Sequence, residues 1–94
     1  MKIELEPDLD CCVETLAKRE YKKGLREVLN GKESPELTEK MEVLRAFLEG
    51  ADFKKIRGEY EPYLIMGKRV RFIMYLEEGK PKYNFDVKEE NGKR

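Results

Sequence analysis

Val70-Arg71-Phe72-Ile73-Met74-Tyr75-Leu76-Glu77-Glu78-Gly79-Lys80-Pro81-Lys82-Tyr83-Asn84-Phe85-Asp86-Val87 decides the fold. Side chains alternate sides along a strand, so a two-residue period reads as a half-buried strand. A turn at Glu78-Gly79 between Glu77 and Lys80 places Val70 opposite Val87, Phe72 opposite Phe85 and Met74 opposite Tyr83, all on one face. The other face then brings Arg71 opposite Asp86. A slip of one residue would set Phe72 against Asn84 and leave no shared apolar face, so the pattern selects the register. Upstream the alternation runs back through Lys68 and Met66 to Leu64, and the first strand is expected over Leu64 to Leu76.

A lone hairpin is marginal in water. Lys2-Ile3-Glu4-Leu5-Glu6, which alternates in the same way before Pro7, is expected to join it as a third strand. Between these strands the period changes to three and four. Leu9, Cys12, Val13, Leu16, Ala17, Tyr21, Leu25, Val28 and Leu29 form one stripe, capped by Asp8 or Asp10 and stopped at Asn30-Gly31. Ser34-Pro35-Glu36-Leu37 opens a second helix, because Ser34 can cap and Pro35 suits the first helical position. Leu37, Met41, Leu44, Phe47 and Leu48 supply its apolar face. A short third helix is expected around Phe53, Ile56 and Tyr60, closed by Pro62. The fold class is therefore α+β, with two layers: two main helices and a short third on a small antiparallel sheet. The 94 residues suit a single domain, 1–94, with 89–94 a charged, flexible tail.

Charged residues make up 43% of the chain, yet 20 bases and 20 acids cancel, so the patterned apolar residues can fold. Histidine, glutamine and tryptophan are absent, and Ser34 is the only serine. Such charge-rich, amide-poor chains resemble those from hot environments. The start of the chain lacks the apolar core of a signal peptide, and no apolar run approaches the roughly 18 residues of a membrane span. The expected location is the cytoplasm, with no membrane partner.

Without histidine there is no Ser-His or Cys-His nucleophilic pair and no histidine metal ligand. The seven glycines are scattered singly, and none builds a phosphate-binding loop. Cys11-Cys12 lacks the spacing of a zinc or dithiol site. Cys12 is expected as a small hydrophobe on the helix stripe, inert to alkylation, with Cys11 at its edge. Carboxylate pairs at helical spacing, Asp10 with Glu14 and Glu36 with Glu39, are what solvated helix faces produce in so acidic a chain. The sequence thus points away from an enzyme and implies no cofactor, metal or catalytic residue.

Charge falls in blocks. Residues 11–32 hold six bases against three acids and 53–72 six against two, while 1–10 and 33–52 are acidic. Were the basic blocks 18–26, 54–57 and 68–71 to converge, Lys22, Lys23, Lys54, Lys55, Arg57, Lys68, Arg69 and Arg71 could hold nucleic acid, with tyrosines for stacking. A neutral total gives no long-range pull toward phosphate. The apolar residues point elsewhere. Ile73 and Tyr75 occupy the strand face opposite the core, with Tyr63 and Ile65 upstream, and exposed apolar patches mark contacts. The expectation is a small interaction module that self-associates or binds another protein through its sheet, with a nucleic-acid accessory protein as the alternative.

Overall fold

The computed structural model describes residues 1–88; the expected charged tail, 89–94, lies outside the described residues. Strand β1 (Lys2–Leu5) is followed by helices α1 (Val13–Leu29), α2 (Pro35–Gly50) and α3 (Phe53–Ile65), then by strands β2 (Arg69–Glu77) and β3 (Lys80–Lys88). The sheet is antiparallel in the order β1-β2-β3. This is the α+β architecture expected, with β1 joined to the hairpin by Lys2 opposite Tyr75 and Leu5 opposite Phe72.

The hairpin register is the one the apolar pattern selects: Val70 faces Val87, Phe72 faces Phe85, Met74 faces Tyr83, and Arg71 faces Asp86. Glu78 (φ 52°) and Gly79 (φ 77°) both lie in the left-handed region, as a two-residue type I′ turn between twisted strands requires. Phe72 is the centre of the core. It stacks on Tyr83 with centroids 5.2 Å apart and meets Phe47 edge-on at 6.5 Å and Tyr60 at 6.3 Å.

The second helix starts as expected, with Ser34 Oγ accepting from the Leu37 N–H at 3.1 Å and Pro35 in its first turn. The other two helices correct the expectation. Asp8 and Cys11 exchange backbone hydrogen bonds, and Asp8 Oδ1 accepts from the Asp10 N–H, so this segment closes into a turn and α1 begins only at Val13. Leu9 is consequently 54% exposed and lies off the stripe. At the far end Leu25 and Leu29 are also exposed, because the buried positions of α1 are Val13, Ala17 and Gly24. The helix ends at Asn30-Gly31, where the Lys32 N–H reaches Glu27 O and the Gly31 N–H reaches Val28 O, a Schellman stop with Gly31 at φ 80°.

The third helix does not close at Pro62. The ring removes one N–H, but the spacing Ile56, Tyr60, Tyr63, Leu64 keeps one face apolar, and the helix runs on to Ile65. Its stop is Gly67 (φ 84°), with the Lys68 N–H on Tyr63 O and the Gly67 N–H on Leu64 O. Leu64 and Met66 are therefore outside the strand expected over Leu64 to Leu76, which begins at Arg69.

Candidate functional site

Helices α2 and α3 pack on the even side of β2, where Val70, Phe72 and Met74 are all but fully buried. The odd side has no layer over it among the described residues. On this open face the registers define three rows: Lys2, Tyr75 and Lys82; Glu4, Ile73 and Asn84; and Arg71 with Asp86. Continuing the β1 register past Leu5 sets Glu6 beside Arg71. Arg69 and Lys88 pair beyond that end, Glu77 and Lys80 beyond the other.

Ile73 and Tyr75 hold the middle of the face and are half-buried by the polar chains beside them. The Lys2 ammonium lies 5.7 Å from the Tyr75 ring centroid, within cation–π range. Below Ile73, Arg71 donates to Asp86 at 2.7 Å and sits 3.8 Å from Glu4, while Arg69 donates to Glu6 at 2.8 Å. The hydrogen bond from Arg69, with its charge, holds the Glu6 carboxyl below the usual carboxylate range. Arg71 Nε is buried and, among the described residues, has no hydrogen-bond partner. One end of the face is thus an ion-pair lattice, and the other is an aromatic ring between two lysines.

Of the four residues expected to form a contact surface, the structure brings only Ile73 and Tyr75 together. Tyr63 and Ile65 lie on α3, in the layer on the opposite side of the sheet. Tyr63 packs on Phe85 with centroids 6.1 Å apart, whereas Ile65 is 68% exposed beside the equally open Met66. Lys2 and Lys82, which flank Tyr75, are outside the expected set. The strand registers are the signal that could have found them.

The basic blocks do not converge. Lys22 and Lys23 lie on α1 and Lys54, Lys55 and Arg57 on α3, in the helical layer, while Arg69 and Arg71 face the open side. Arg57 is held by Glu61 at 2.8 Å, Lys18 pairs with Glu14 one turn earlier on α1, and Lys40 of α2 donates to Glu20 of α1.

Cys12 is the cap residue of α1 and half-buried, not a member of the buried stripe. Burial opposes ionisation of its thiol. The Thr15 hydroxyl 3.4 Å away, the first-turn N–H dipoles and Arg57 outweigh that and hold the thiol below its ordinary range. A shallow cleft of about 210 Å³ beside it is lined by Phe53, Lys54, Arg57 and Tyr60. Among the described residues no group of three or more Cys, Asp or Glu side chains is placed to hold a metal ion, and no helix is long and apolar enough to cross a membrane.

Residues 1–78 match the sequence model of an uncharacterised protein family, and the chain belongs to that family. No curated protein and no solved structure matches the chain.

Proposed function

We propose that the chain is a small, non-catalytic interaction module, acting inside the cell, that docks a protein surface on the open face of its sheet. One observation carries this reading. The side of β2 away from the helices places Ile73 and Tyr75 at its centre, where among the described residues no helix covers them. Side chains that folding does not require to be apolar are candidates for contact.

The placement of the basic residues favours protein over nucleic acid. Two of the three blocks sit in the helical layer and the third on the other side of the sheet, where Glu4, Glu6 and Asp86 engage its arginines. A phosphate backbone would meet carboxylates on either side.

The test is the pair Ile73→Lys and Tyr75→Lys in one chain, followed by circular dichroism and light scattering over a concentration series. The helical signal and cooperative melting are expected to persist, while association is lost, because ammonium groups cannot enter a contact without partners. Collapse of the fold would mean that these residues serve the monomer. A folded variant with unchanged association would remove the sheet from the reading.

A further inference from the structure

The open face is self-complementary, and we infer that its occupant is a second copy of this chain, stacked face to face about a two-fold axis. The inference rests on the sheet-docking reading above and adds the partner and its orientation.

Consider an axis lying in the interface, perpendicular to the strands, through the row Glu4, Ile73, Asn84. A half-turn about it lays each strand antiparallel over its own copy, within the aligned class of sheet packing. Every row then meets the row equally far on the other side of Ile73. Lys2 falls over Glu6 of the second copy, Lys82 over Asp86 and Glu77 over Arg69. The Tyr75 ring falls over the Arg71 guanidinium, a stacking geometry that arginine favours. Ile73 meets Ile73 on the axis. Because the arrangement is two-fold, each unlike pair occurs twice.

Two like-charge meetings oppose it: Glu4 with Glu4 on the axis and Lys80 with Lys88 at the corner. Glu4 lies beside Arg71, 3.8 Å away, and Lys80 and Lys88 are exposed at one end of each β3, where water screens them. Other orientations do worse. An axis along the strands would lay β1 over β3 and bring Lys2 over Lys82 across every Tyr75 pair. A simple translation of one sheet over the other cannot close into a dimer.

The area sets the strength. Three strands about 4.8 Å apart and a central strand rising about 3.3 Å per residue give a patch of roughly 400 Å². Stable complexes bury about 800 Å² per partner. The dimer belongs to the weak, transient class, held in register by charge more than by apolar area.

The experiment exploits the symmetry. In its own homodimer the Lys2→Glu chain sets a new carboxylate over Glu6, and the Glu6→Lys chain sets a new ammonium over Lys2. Each variant alone should self-associate at least about tenfold more weakly than the parent, with an unchanged circular dichroism spectrum. Mixed in equal amounts, the two should associate as strongly as the parent, as a heterodimer.

 

The two exchanged residues meet each other in that heterodimer, and the native Glu6 of one chain meets the native Lys2 of the other. Both contacts again join a carboxylate and an ammonium, with no misalignment of the sheets. Sedimentation equilibrium from micromolar to millimolar protein reads all three samples.

A mixture that stays monomeric while the parent dimerises and the Ile73→Lys, Tyr75→Lys chain does not would overturn the two-fold arrangement and leave the sheet-docking reading standing. Dimerisation untouched by that double change would sink both. A parent that is monomeric to millimolar concentration overturns the second copy as occupant, and oligonucleotide binding lost with Tyr75 would then replace it with nucleic acid.

Discussion

The two sides of β2 share one backbone, and both carry bulky apolar residues, yet they do different things. On the even side Val70, Phe72 and Met74 are no more than 2% exposed and meet two helices. On the odd side Ile73 and Tyr75 are half-buried, with Lys2, Glu4, Lys82 and Asn84 as their neighbours on the flanking strands, and meet no second layer among the described residues. Alternation alone cannot say which side will be covered, because both sides carry bulky apolar groups. The helices decide it, since only one side offers an unbroken apolar column on β2 and on both neighbours: Ile3 and Leu5 on β1, Tyr83, Phe85 and Val87 on β3. On the other side each apolar residue has polar neighbours on both flanking strands.

The largest expected effect tests that division directly. Phe72→Ala should cost about 3–5 kcal/mol, the range for emptying a fully buried aromatic site, because Phe72 is 0% exposed and touches three rings. Ile73→Ala, one residue along, should cost about 1 kcal/mol or less, in line with a surface position. Phe85→Ala should fall between them, since Phe85 packs on the core but lies on the edge strand and is half-buried. Denaturant melts give the order, and a loss at Ile73 equal to that at Phe72 would erase the distinction between the two sides.

A second test probes how the covered side is tied to the helices. Tyr60 is 1% exposed, and its hydroxyl accepts the Val13 N–H at 3.0 Å, one of the donors that the first turn of α1 cannot satisfy internally. Tyr60→Phe keeps the ring and removes the acceptor, leaving a buried N–H without a partner. The expected cost is about 1–3 kcal/mol, and amide exchange at Val13 should accelerate more than exchange elsewhere in α1. No comparable polar tie crosses the open side among the described residues.

The strand registers were legible in the sequence because β structure carries its evidence in parity. One correct turn at Glu78-Gly79 fixes every pair, and Phe72 with Phe85 and Arg71 with Asp86 follow. Helix ends were less legible because caps compete. Asp8 and Asp10 are good cap residues, but Asp8 is engaged in a turn with Asp10 and Cys11, so the helix starts later and Cys12 becomes its cap. Pro62 reads as a stop, yet the apolar spacing through Leu64 outweighs one lost hydrogen bond.

By spacing alone Gly24 reads as a penalised interior glycine. A Cβ there would run into the Met41 thioether of α2, so a larger residue would require that flexible side chain to turn aside.

Of the expected contact set, Ile73 and Tyr75 share the open face because they lie on the strand. Tyr63 and Ile65 do not, because the alternation back to Leu64 imitates a strand where the chain is helical. The Cys12 thiol, expected to be inert, is the clearest chemical consequence of the shifted helix start. Iodoacetamide should label Cys12 in a Cys11→Ser chain faster than Cys11 in a Cys12→Ser chain at neutral pH. Its rate should reach half-maximum below the ordinary thiol value of 9.0.

The rim between the two sides supplies a pH test. Tyr83 stacks on Phe72 and donates to Glu59 at 2.7 Å; burial and that carboxylate push its hydroxyl up from the usual 10.0 to about 12. The unfolded chain therefore loses this proton first. Its contribution to stability is complete below pH 10 and is lost as pH rises through about 12. Melting temperatures should fall across that window, and Tyr83→Phe should shallow the fall. An identical pH profile in the variant would assign the loss to other groups.

The smallest expected effect lies on the open side, in the Arg71–Asp86 pair. At 2.7 Å it is among the shortest charged contacts described, yet the two side chains are 36% and 49% exposed. Water screens such a pair and side-chain entropy opposes it, so it contributes about 1 kcal/mol or less. Glu4 remains 3.8 Å from Arg71 to keep the guanidinium company once Asp86 is gone. Asp86→Ala should therefore shift the denaturant midpoint little, and less still in high salt, while Asp86→Asn should behave the same way. In the stacked dimer, however, Asp86 also faces Lys82 of the second copy, so the same substitution should weaken self-association without weakening the fold. Stability and association would then separate at one residue on the open side, as they cannot at Phe72, where any loss of packing weakens the fold itself. If Asp86→Ala destabilised the monomer as severely as Tyr60→Phe, the open face would be part of what holds the fold together, and its claim to be a free docking surface would fail.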